Sequence, residues 1–413
     1  MESSAAMDIA KHVLLLFGIV LALGAFSALL ARAMRIPDVV VFLLVGMLIG
    51  PGVLGLVDIG ADSAVNQLIL IFGSSYILFD GGASVRLKVL KQVWITILVI
   101  ATLGVLITAA VTGLAAYYLL GVPAIVALLL GSVLASTDPA TLVPVFKQVR
   151  IRERVAQAVM SESAFNDAMG AILTFTVLGV AMGAGAFSAT DAILGLCWQS
   201  LLGIAIGGAL GYLAAVLIAH EKYDFLFEFA PVVTLMAVIG AYMAADGLHS
   251  SGFMAVFVFG IMLGNVESLG FMRSRRESHQ LEHFVATTAL IMRMFIFMLL
   301  GTQVDFSLMN QYLYAGIGVV AIFMLVARPL TVFLCALPDR RAKWRLNELL
   351  FMCWTRETGV IPGALAGMLV GMKAPGAQLI ASVTFIAILT TILIQATTTR
   401  YLAGKLGLLE EGR

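Results

Sequence analysis

Polar and acidic side chains occur at three places within otherwise apolar stretches of the sequence. Residues 136–140 read STDPA, residues 161–167 read SESAFND, and residues 354–363 read WTRETGVIPG. Carboxylate, hydroxyl and amide oxygens are the ligands that hard cations prefer, and a carboxyl group also holds a proton. The three segments therefore predict a site where a cation or a proton binds inside an apolar protein.

The first segment predicts an interrupted helix. Pro139 lacks an N–H and its fixed φ suits the first position of a helix, while Asp138 is of a type preferred at N-caps. We therefore expect one half-helix to end and a second to begin at Asp138. Non-helical backbone is tolerated within a membrane only where it is buried in protein or lines a cavity, and broken helices commonly carry an ion site. The alternative is an ordinary loop with an N-cap at Asp138.

The second segment predicts an oxygen-rich face on one helix. A spacing of four residues brings Glu162 beside Asn166 and Ser163 beside Asp167. Two carboxylates, an amide and a hydroxyl can then surround a monovalent cation such as sodium. The alternative is a helix that begins near the membrane interface with solvated polar residues. The apolar residues 168–173 that follow Asp167 argue against this alternative.

The third segment predicts the counterpart of the first. Arg356 lies 218 residues after Asp138. Thr355 lies 218 residues after Thr137. Gly and Pro interrupt this segment too, and the two spans run in opposite directions, which is typical of an inverted repeat. We expect Arg356 to neutralise the negative ends of half-helices. Glu357 either serves as the counter-charge of Arg356 or points to the cytoplasm.

Further charges fall within apolar segments. A buried guanidinium needs a carboxylate partner, and we expect Glu162 to pair with Arg328 as a structural ion pair. Asp80 is either a ligand of the cation or a helix-end residue at the membrane interface. Arg293 also needs a partner, which the sequence does not identify.

The composition places these residues in a membrane protein. The chain has 413 residues, of which 61% are hydrophobic and 12% are charged, and its mean hydropathy is +1.04. A soluble domain has about 25% charged residues, so the composition excludes a cytosolic enzyme. The net charge of +1 offers no basic excess for nucleic acid. The three cysteines show no CxxC spacing, so neither a disulfide framework nor a zinc site is expected.

Thirteen apolar runs are each long enough to cross a bilayer, which takes about 20 residues. The predicted fold is therefore an all-α polytopic membrane protein. The first run is expected to be a retained span rather than a signal peptide. The runs are residues 13–31, 38–56, 64–80, 93–119, 122–146, 155–182, 192–219, 228–245, 250–266, 284–302, 312–336, 347–371 and 376–399.

The distribution of Lys and Arg predicts the orientation of these spans. If the loops alternate between the two sides, 20 of the 25 basic residues fall on one side, 2 on the other and 3 within spans. Because basic loops remain in the cytoplasm, we expect the N-terminus outside and the C-terminus in the cytoplasm. Only a few residues follow Arg400, so no cytosolic regulatory domain is expected.

The inverted repeat divides the chain into three parts. Residues 1–182 form the first half, with spans 1–6 and a crossing helix at 122–146. Residues 183–225 hold span 7 as a connector. Residues 226–413 form the second half, with spans 8–13 and a crossing helix at 347–371.

These motifs resemble those of the monovalent cation/proton antiporters, in the branch with NhaP and the mammalian NHE exchangers. Residues 137–139 (TDP) are similar to the family's unwound crossing helix, and residues 162–167 (ESAFND) to its E-S-x-x-N-D signature. Residues 79–82 (FDGG) are similar to the acidic motif of the third helix, which often has Glu. Arg328 matches the arginine that pairs with the Glu of the sixth helix, and Arg356 that of the second crossing helix. The resemblance covers essentially the whole chain.

There is one clear departure from the family pattern. Around the arginine of the second crossing helix the family often reads GLRGA, whereas residues 355–359 read TRETG. The added carboxyl of Glu357, close to the crossing, can alter the ion preference or the response to pH.

The resemblance implies how such a site works. Asp167 and Asp138 bind a cation or a proton in competition, Ser163 and the Thr137 carbonyl add oxygens, and Asn166 holds the crossing helices in place. The Asn166-Asp167 pair implies electroneutral exchange of one cation per proton. Elevator-type alternating access moves spans 4–6 and 11–13 against the remaining spans, which form a homodimer contact.

The expected function is therefore exchange of Na⁺, or Li⁺, for H⁺ by an integral protein of a bacterial or archaeal inner membrane. The expected partners are the transported ions, the lipid bilayer and a second copy of the chain, with no cofactor. A K⁺/H⁺ antiporter of the same family is the alternative. A cation channel needs a filter, and no filter repeat is present. An intramembrane aspartyl protease would carry a GxGD motif, which is absent.

Overall fold

The structure, a computed structural model, describes residues 2–34, 36–137, 151–183, 189–219, 229–270 and 275–409. Within these residues the regular structure is helical, apart from one isolated antiparallel bridge between Ile151 and Leu409. The all-α prediction is thus confirmed for the described part of the chain.

We number the α-helices of the described residues in chain order. They are α1 (Glu2–Met34), α2 (Asp38–Ile49), α3 (Ala64–Ser84), α4 (Leu87–Leu120), α5 (Ala124–Ala135), α6 (Glu153–Ala181), α7 (Ala189–Ala219), α8 (Ala230–Gly247), α9 (Gly252–Gly264), α10 (Arg275–Thr302), α11 (Phe306–Ala336), α12 (Leu346–Trp354), α13 (Val360–Gly371) and α14 (Ala377–Lys405). Three long helices contain a π-helical turn, α4 at Ile100–Gly104, α11 at Phe323–Ala327 and α14 at Ile392–Ala396.

Nine helices of the described residues are long and apolar enough to cross a membrane, namely α1, α3, α4, α6, α7, α8, α10, α11 and α14. Four shorter apolar helices, α2, α5, α9 and α13, lie within the remaining predicted spans. Every predicted span therefore contains apolar helix. The number of thirteen spans stays a prediction.

Local sequence explains several helix ends. The Ser63 hydroxyl accepts a hydrogen bond from the N–H of Asn66 at the start of α3, and the Asp305 carboxylate accepts two N–H bonds at the start of α11. Gly121 ends α4 with a φ of 65°, a left-handed conformation that suits glycine. The helices therefore begin and end in short loops that keep adjacent spans close together.

Large apolar side chains lie on the outer surface of the helices. Leu14 and Tyr118 are each 74% exposed and Tyr314 is 88% exposed. A soluble protein rarely presents apolar surface of this extent. The outside of the molecule therefore suits a lipid environment, and the polar residues of interest lie inside it.

Two non-helical stretches lie in the interior. We call Ser136 and Thr137, the two residues that follow α5, the α5 end. Ser136 has an extended backbone conformation, so α5 stops at the residue before it. The α12–α13 break comprises the buried residues 355–359, between two short helices. Asp138 and Pro139, where a second half-helix is predicted to begin, lie outside the described residues.

Candidate cation site

Asp167 lies in a buried polar cluster where α6 passes the α5 end. Its carboxylate accepts a hydrogen bond from the hydroxyl of Ser136, and only 3% of Asp167 is exposed. Gly170 permits this close approach, because a Cβ at Gly170 would lie 2.9 Å from the Cβ of Ser136. The end of α5 is therefore packed directly against the face of α6 that bears the carboxylate.

Asn166 anchors the α5 end on α6. Its Oδ1 accepts hydrogen bonds from the backbone N–H of Thr137 at 3.1 Å and from the Thr137 hydroxyl at 2.9 Å. Its Nδ2 donates to Oε1 of Glu162 at 3.4 Å. Backbone that leaves a helix inside an apolar interior needs such a partner, since an unpaired buried N–H is costly. The amide side chain of Asn166 thus supplies a hydrogen-bond partner for the backbone that follows α5.

Ser163 adds a second link between α6 and the α5 end. Its hydroxyl donates to the carbonyl oxygen of Thr137 at 2.8 Å and lies 3.1 Å from the Thr137 hydroxyl. Oxygens of Ser163, Thr137, Ser136 and Asp167 are thereby gathered along one helix face. Hydroxyl, carbonyl and carboxylate oxygens form a donor set that suits a hard cation.

Glu162 and Arg328 form a bidentate ion pair beside this cluster. Nη1 and Nη2 of Arg328 donate to the two carboxylate oxygens of Glu162 at 2.6 and 2.8 Å, and its Nε donates to the carbonyl of Met352 at 2.8 Å. Both charged side chains are at least 98% buried. The pair joins α6, α11 and α12, so the carboxylate of Glu162 is committed to a structural contact.

Arg356 of the α12–α13 break binds the last residue of α5, directly before the α5 end. Its Nη2 donates to the carbonyl of Ala135 at 2.5 Å and its Nη1 to the hydroxyl of Thr108 at 3.1 Å. The guanidinium also lies over the ring of Phe323, 5.4 Å from its centre. Ala135 is the last residue of α5, and the final carbonyls of a helix carry partial negative charge. The guanidinium therefore compensates the C-terminal end of α5.

The remaining predicted residues lie at different distances from this cluster. Glu357 is fully buried, which excludes the alternative that it points to the cytoplasm. Asp80 is half-buried on α3, and its neighbour Gly81 faces Ala164 of α6. Arg293 is half-buried on α10, and its Nε has no hydrogen-bond partner among the described residues. Asp138 lies outside the described residues.

The sequence did not single out two residues of the cluster. Ser136 binds Asp167, and its position immediately before Thr137 in the same motif is a signal that could have identified it. Thr108 binds both Arg356 and the hydroxyl of Thr331. A single threonine within an apolar helix carries no comparable signal, so only the packing of α4 against its neighbours reveals this contact.

Comparison with known proteins identifies relatives along the whole chain. Residues 18–405 match the model of a family described as sodium/hydrogen exchanger, transmembrane. The chain is 33% identical over 359 residues to Na(+)/H(+) antiporter 1 of Methanocaldococcus jannaschii, an alignment that covers 84% of this chain and 81% of that protein. It is 29% identical over 400 residues to the K(+)/H(+) antiporter NhaP of Alkalimonas amylolytica, covering 94% of this chain and 66% of that protein.

A solved structure shares the overall architecture. The sodium proton antiporter MjNhaP1 from Methanocaldococcus jannaschii at pH 8 superposes with a TM-score of 0.82 and 29% sequence identity. The superposition covers 98% of this chain and 99% of that chain. The overall arrangement of helices is therefore similar to that of a known sodium proton antiporter.

Proposed function

Because the chain belongs to the sodium/hydrogen exchanger family, we propose that it exchanges Na⁺ for H⁺ across a bacterial or archaeal inner membrane, one cation per proton. It is a transporter and not an enzyme, as its relatives are antiporters. The observation that carries the proposal is the buried cluster of Asp167, Ser163 and Thr137 at the α5 end. We assign Asp138 and Asp80 to the same site as further ligands.

We infer that the cation and the proton compete at Asp167. A carboxylate in an apolar interior needs positive charge close by, and either a proton or a bound cation supplies it. Glu162 is held by Arg328, so it does not take part in this exchange. The Ser163 hydroxyl and the Thr137 carbonyl add uncharged oxygens that replace the water around a cation. Binding of one ion therefore favours release of the other, which is the basis of coupled antiport.

Asn166 supports the proposed electroneutral stoichiometry. An amide at this position binds the Thr137 backbone but cannot take up a proton. Asp167 then remains the titratable member of the pair, and one cation replaces one proton. An aspartate in place of Asn166 would add a second titratable group next to the first.

We propose that alternating access follows an elevator mechanism, in which α4–α6 and α11–α14 move against the other helices of a homodimer. A cavity of about 210 Å³ supports this division. Gly367 and Ser382 line it from α13 and α14, and Thr302 lines it from the end of α10. It therefore lies between the helices assigned to the moving part and those assigned to the fixed part. The proposed orientation of thirteen spans places the cavity on the external side.

We propose that the inverted repeat comprises residues 1–182 and 226–413, with residues 183–225 as the connector. Arg356, in the second half, binds the carbonyl of Ala135, in the first half, which supports two crossing segments that meet in the centre of the protein.

The experiment uses the purified protein in proteoliposomes with a trapped pH-sensitive dye. After a proton gradient is imposed, addition of Na⁺ should collapse it, and clamping the membrane voltage should not change the rate. Asp167→Asn should abolish the response, while Asp246→Asn, at an exposed carboxyl on α8, should not. Full cation-driven proton transport by Asp167→Asn would contradict the proposed mechanism.

The same measurement decides between sodium and potassium. Exchange of K⁺ for H⁺ is the second candidate, because a relative that matches 94% of this chain is a K(+)/H(+) antiporter. Na⁺, Li⁺ and K⁺ are added separately at equal concentration. A response to K⁺ alone would replace sodium in the proposal and leave the role of Asp167 intact.

A further inference from the structure

A second buried polar region lies where the α12–α13 break runs along α14. The indole N–H of Trp354 donates to the hydroxyl of Thr398 at 2.8 Å, and the backbone N–H of Thr358 donates to the hydroxyl of Thr391 at 3.0 Å. The segment from 354 to 358 therefore lies beside the stretch of α14 from 391 to 398. Gln395 belongs to that stretch, within the π-helical turn of α14.

Polar atoms in this region have no hydrogen-bond partner among the described residues. Gln395 is fully buried, and both its Nε2 and its Oε1 are unpartnered in the described part of the chain. The hydroxyl oxygen of Thr358 is also fully buried, and it too has no hydrogen-bond partner among the described residues. Buried polar groups in native proteins nearly always have a partner, and an ion or a buried water can serve as that partner. π-helical turns occur frequently at functional sites.

The region also contains a carboxyl group. Glu357 is fully buried and immediately precedes Thr358 in the break. The guanidinium of its other neighbour, Arg356, donates to the carbonyl of Ala135 and the hydroxyl of Thr108. One carboxylate, a hydroxyl and an amide oxygen form a donor set for a small ion of charge +1, and a second carboxylate that would favour a divalent ion is not present among these residues.

We propose that Glu357, Thr358 and Gln395 form a second monovalent-cation site, separate from the one at Asp167. The Glu357 carboxylate supplies the charge, and the Thr358 hydroxyl and the Gln395 carbonyl oxygen supply neutral ligands. The site lies in the second half of the chain and does not require that Asp167 exchange ions. A cation bound here holds the α12–α13 break against α14.

Cation binding to the full-length protein tests the proposal without a transport assay. The background is Asp80→Asn/Asp138→Asn/Asp167→Asn, which removes the three carboxylates assigned to the first site. The melting temperature of this protein in detergent is measured against NaCl and KCl, with choline chloride at equal ionic strength. We expect a saturable rise in melting temperature with one of the alkali cations and none with choline. An equal response to all three salts would overturn the proposal.

Variants of the second site locate the bound ion. In that background, Gln395→Met and Thr358→Val should each weaken the apparent cation affinity at least about tenfold, the effect of losing roughly 1.4 kcal/mol of binding free energy. Glu357→Gln should remove the cation response. Thr384→Val is the matched control, because Thr384 is also buried and unpartnered in the described residues but lies earlier on α14. Unchanged titrations in Gln395→Met and Thr358→Val would overturn the proposal, even if Glu357→Gln does not fold.

Antiport by the wild-type protein and by Asp167→Asn is measured in parallel. If the wild type shows antiport and the second-site variants lose the cation response, both proposals are supported. If the wild-type protein shows no antiport but the cation response of the background variant is retained, the result would support the second site and contradict only the proposed function.

Discussion

The α5 end and the α12–α13 break use the same backbone solution with different chemistry. In both, an N–H outside a helix donates to a side chain on a long neighbouring helix, Thr137 to α6 at 3.1 Å and Thr358 to α14 at 3.0 Å. At the α5 end the carboxyl lies on the long helix, as Asp167. In the α12–α13 break it lies within the break itself, as Glu357.

The difference shows that the hydrogen bonding of a non-helical stretch and the position of its carboxyl are independent of each other. A non-helical stretch inside an apolar protein must find hydrogen-bond partners for its backbone, whatever it binds. A side-chain amide or hydroxyl on an adjacent helix meets that need in both places. The remaining side chains can then differ, and the carboxyl lies on α6 beside one stretch and within the other stretch itself.

The two buried guanidiniums, those of Arg328 and Arg356, differ in the groups that accept their hydrogen bonds. Arg328 has a full carboxylate partner in Glu162, so this pair carries no net charge. Arg356 donates to a helix-end carbonyl and to a threonine hydroxyl. The guanidinium of Arg328 is thus held by a full negative charge, and that of Arg356 binds a helix end that carries a partial negative charge of about half a unit.

The largest effect is expected from breaking the neutral pair. Arg328→Ala leaves the Glu162 carboxylate buried without its partner, and we expect a loss of about 3–5 kcal/mol in the free energy of unfolding. Denaturant unfolding in detergent measures it. Arg86→Ala is the control, because the Arg86–Glu153 pair is more than 60% exposed and should contribute at most about 1 kcal/mol. Equal losses in the two variants would contradict the structural role of Glu162–Arg328.

An intermediate effect is expected from the backbone anchors. Thr391→Val leaves the N–H of Thr358 without its acceptor and should cost about 1–3 kcal/mol. Thr137→Val removes the hydroxyl but keeps the N–H bond to Asn166, so its cost should be smaller. Unfolding free energies of the two variants measure the difference. If Thr391→Val and Thr137→Val were equally stable, the N–H of Thr358 would not depend on the Thr391 hydroxyl as proposed.

The smallest expected effect is on the pH dependence of stability, and it comes from a carboxyl outside both regions. Asp339 lies between α11 and α12, and burial raises the pKa of its carboxyl. Hydrogen bonds from Thr96, Ala342 and Arg341 outweigh burial and hold this pKa below its usual range. The stabilisation is therefore fully present above the ordinary aspartate pKa of about 3.9 and is lost as pH falls through the lower folded-state pKa.

Melting temperatures of the wild type and of Asp339→Asn, recorded between pH 7 and pH 3, measure this contribution. The wild type should lose part of its advantage over the variant at the acid end of the range. A constant difference between the two proteins across the whole range would show that the hydrogen bonds to Asp339 do not depend on its charge.

Much of the candidate site followed from residue types and short spacings. The four-residue interval of Glu162 and Asn166 places them one turn apart on any helix, and the structure shows their side chains in contact. The expectation that a buried guanidinium needs a carboxylate led from Arg328 to Glu162. Both arguments work because they depend on helix geometry or on the cost of burying charge, which every fold shares.

Contacts across the protein did not follow in this way. The sequence linked Arg356 to half-helix ends, but it did not identify the carbonyl of Ala135 or the hydroxyl of Thr108 as acceptors. It also left the orientation of Glu357 open and did not single out Gln395. Arg356 is more than two hundred positions from both of its acceptors, and a shift of one helix turn would exchange one neighbour for another.

The sequence by itself determined the class of the protein and the helix faces that carry its polar residues. Long apolar runs require membrane-spanning helices, since lipid offers no partner for exposed backbone groups. The tertiary structure alone decided which polar groups meet. It brought the Ser136 hydroxyl to the Asp167 carboxylate and the Thr391 hydroxyl to the N–H of Thr358. Hydrogen bonds form only within a few tenths of an ångström of their ideal length, and the packing angles between helices set those distances.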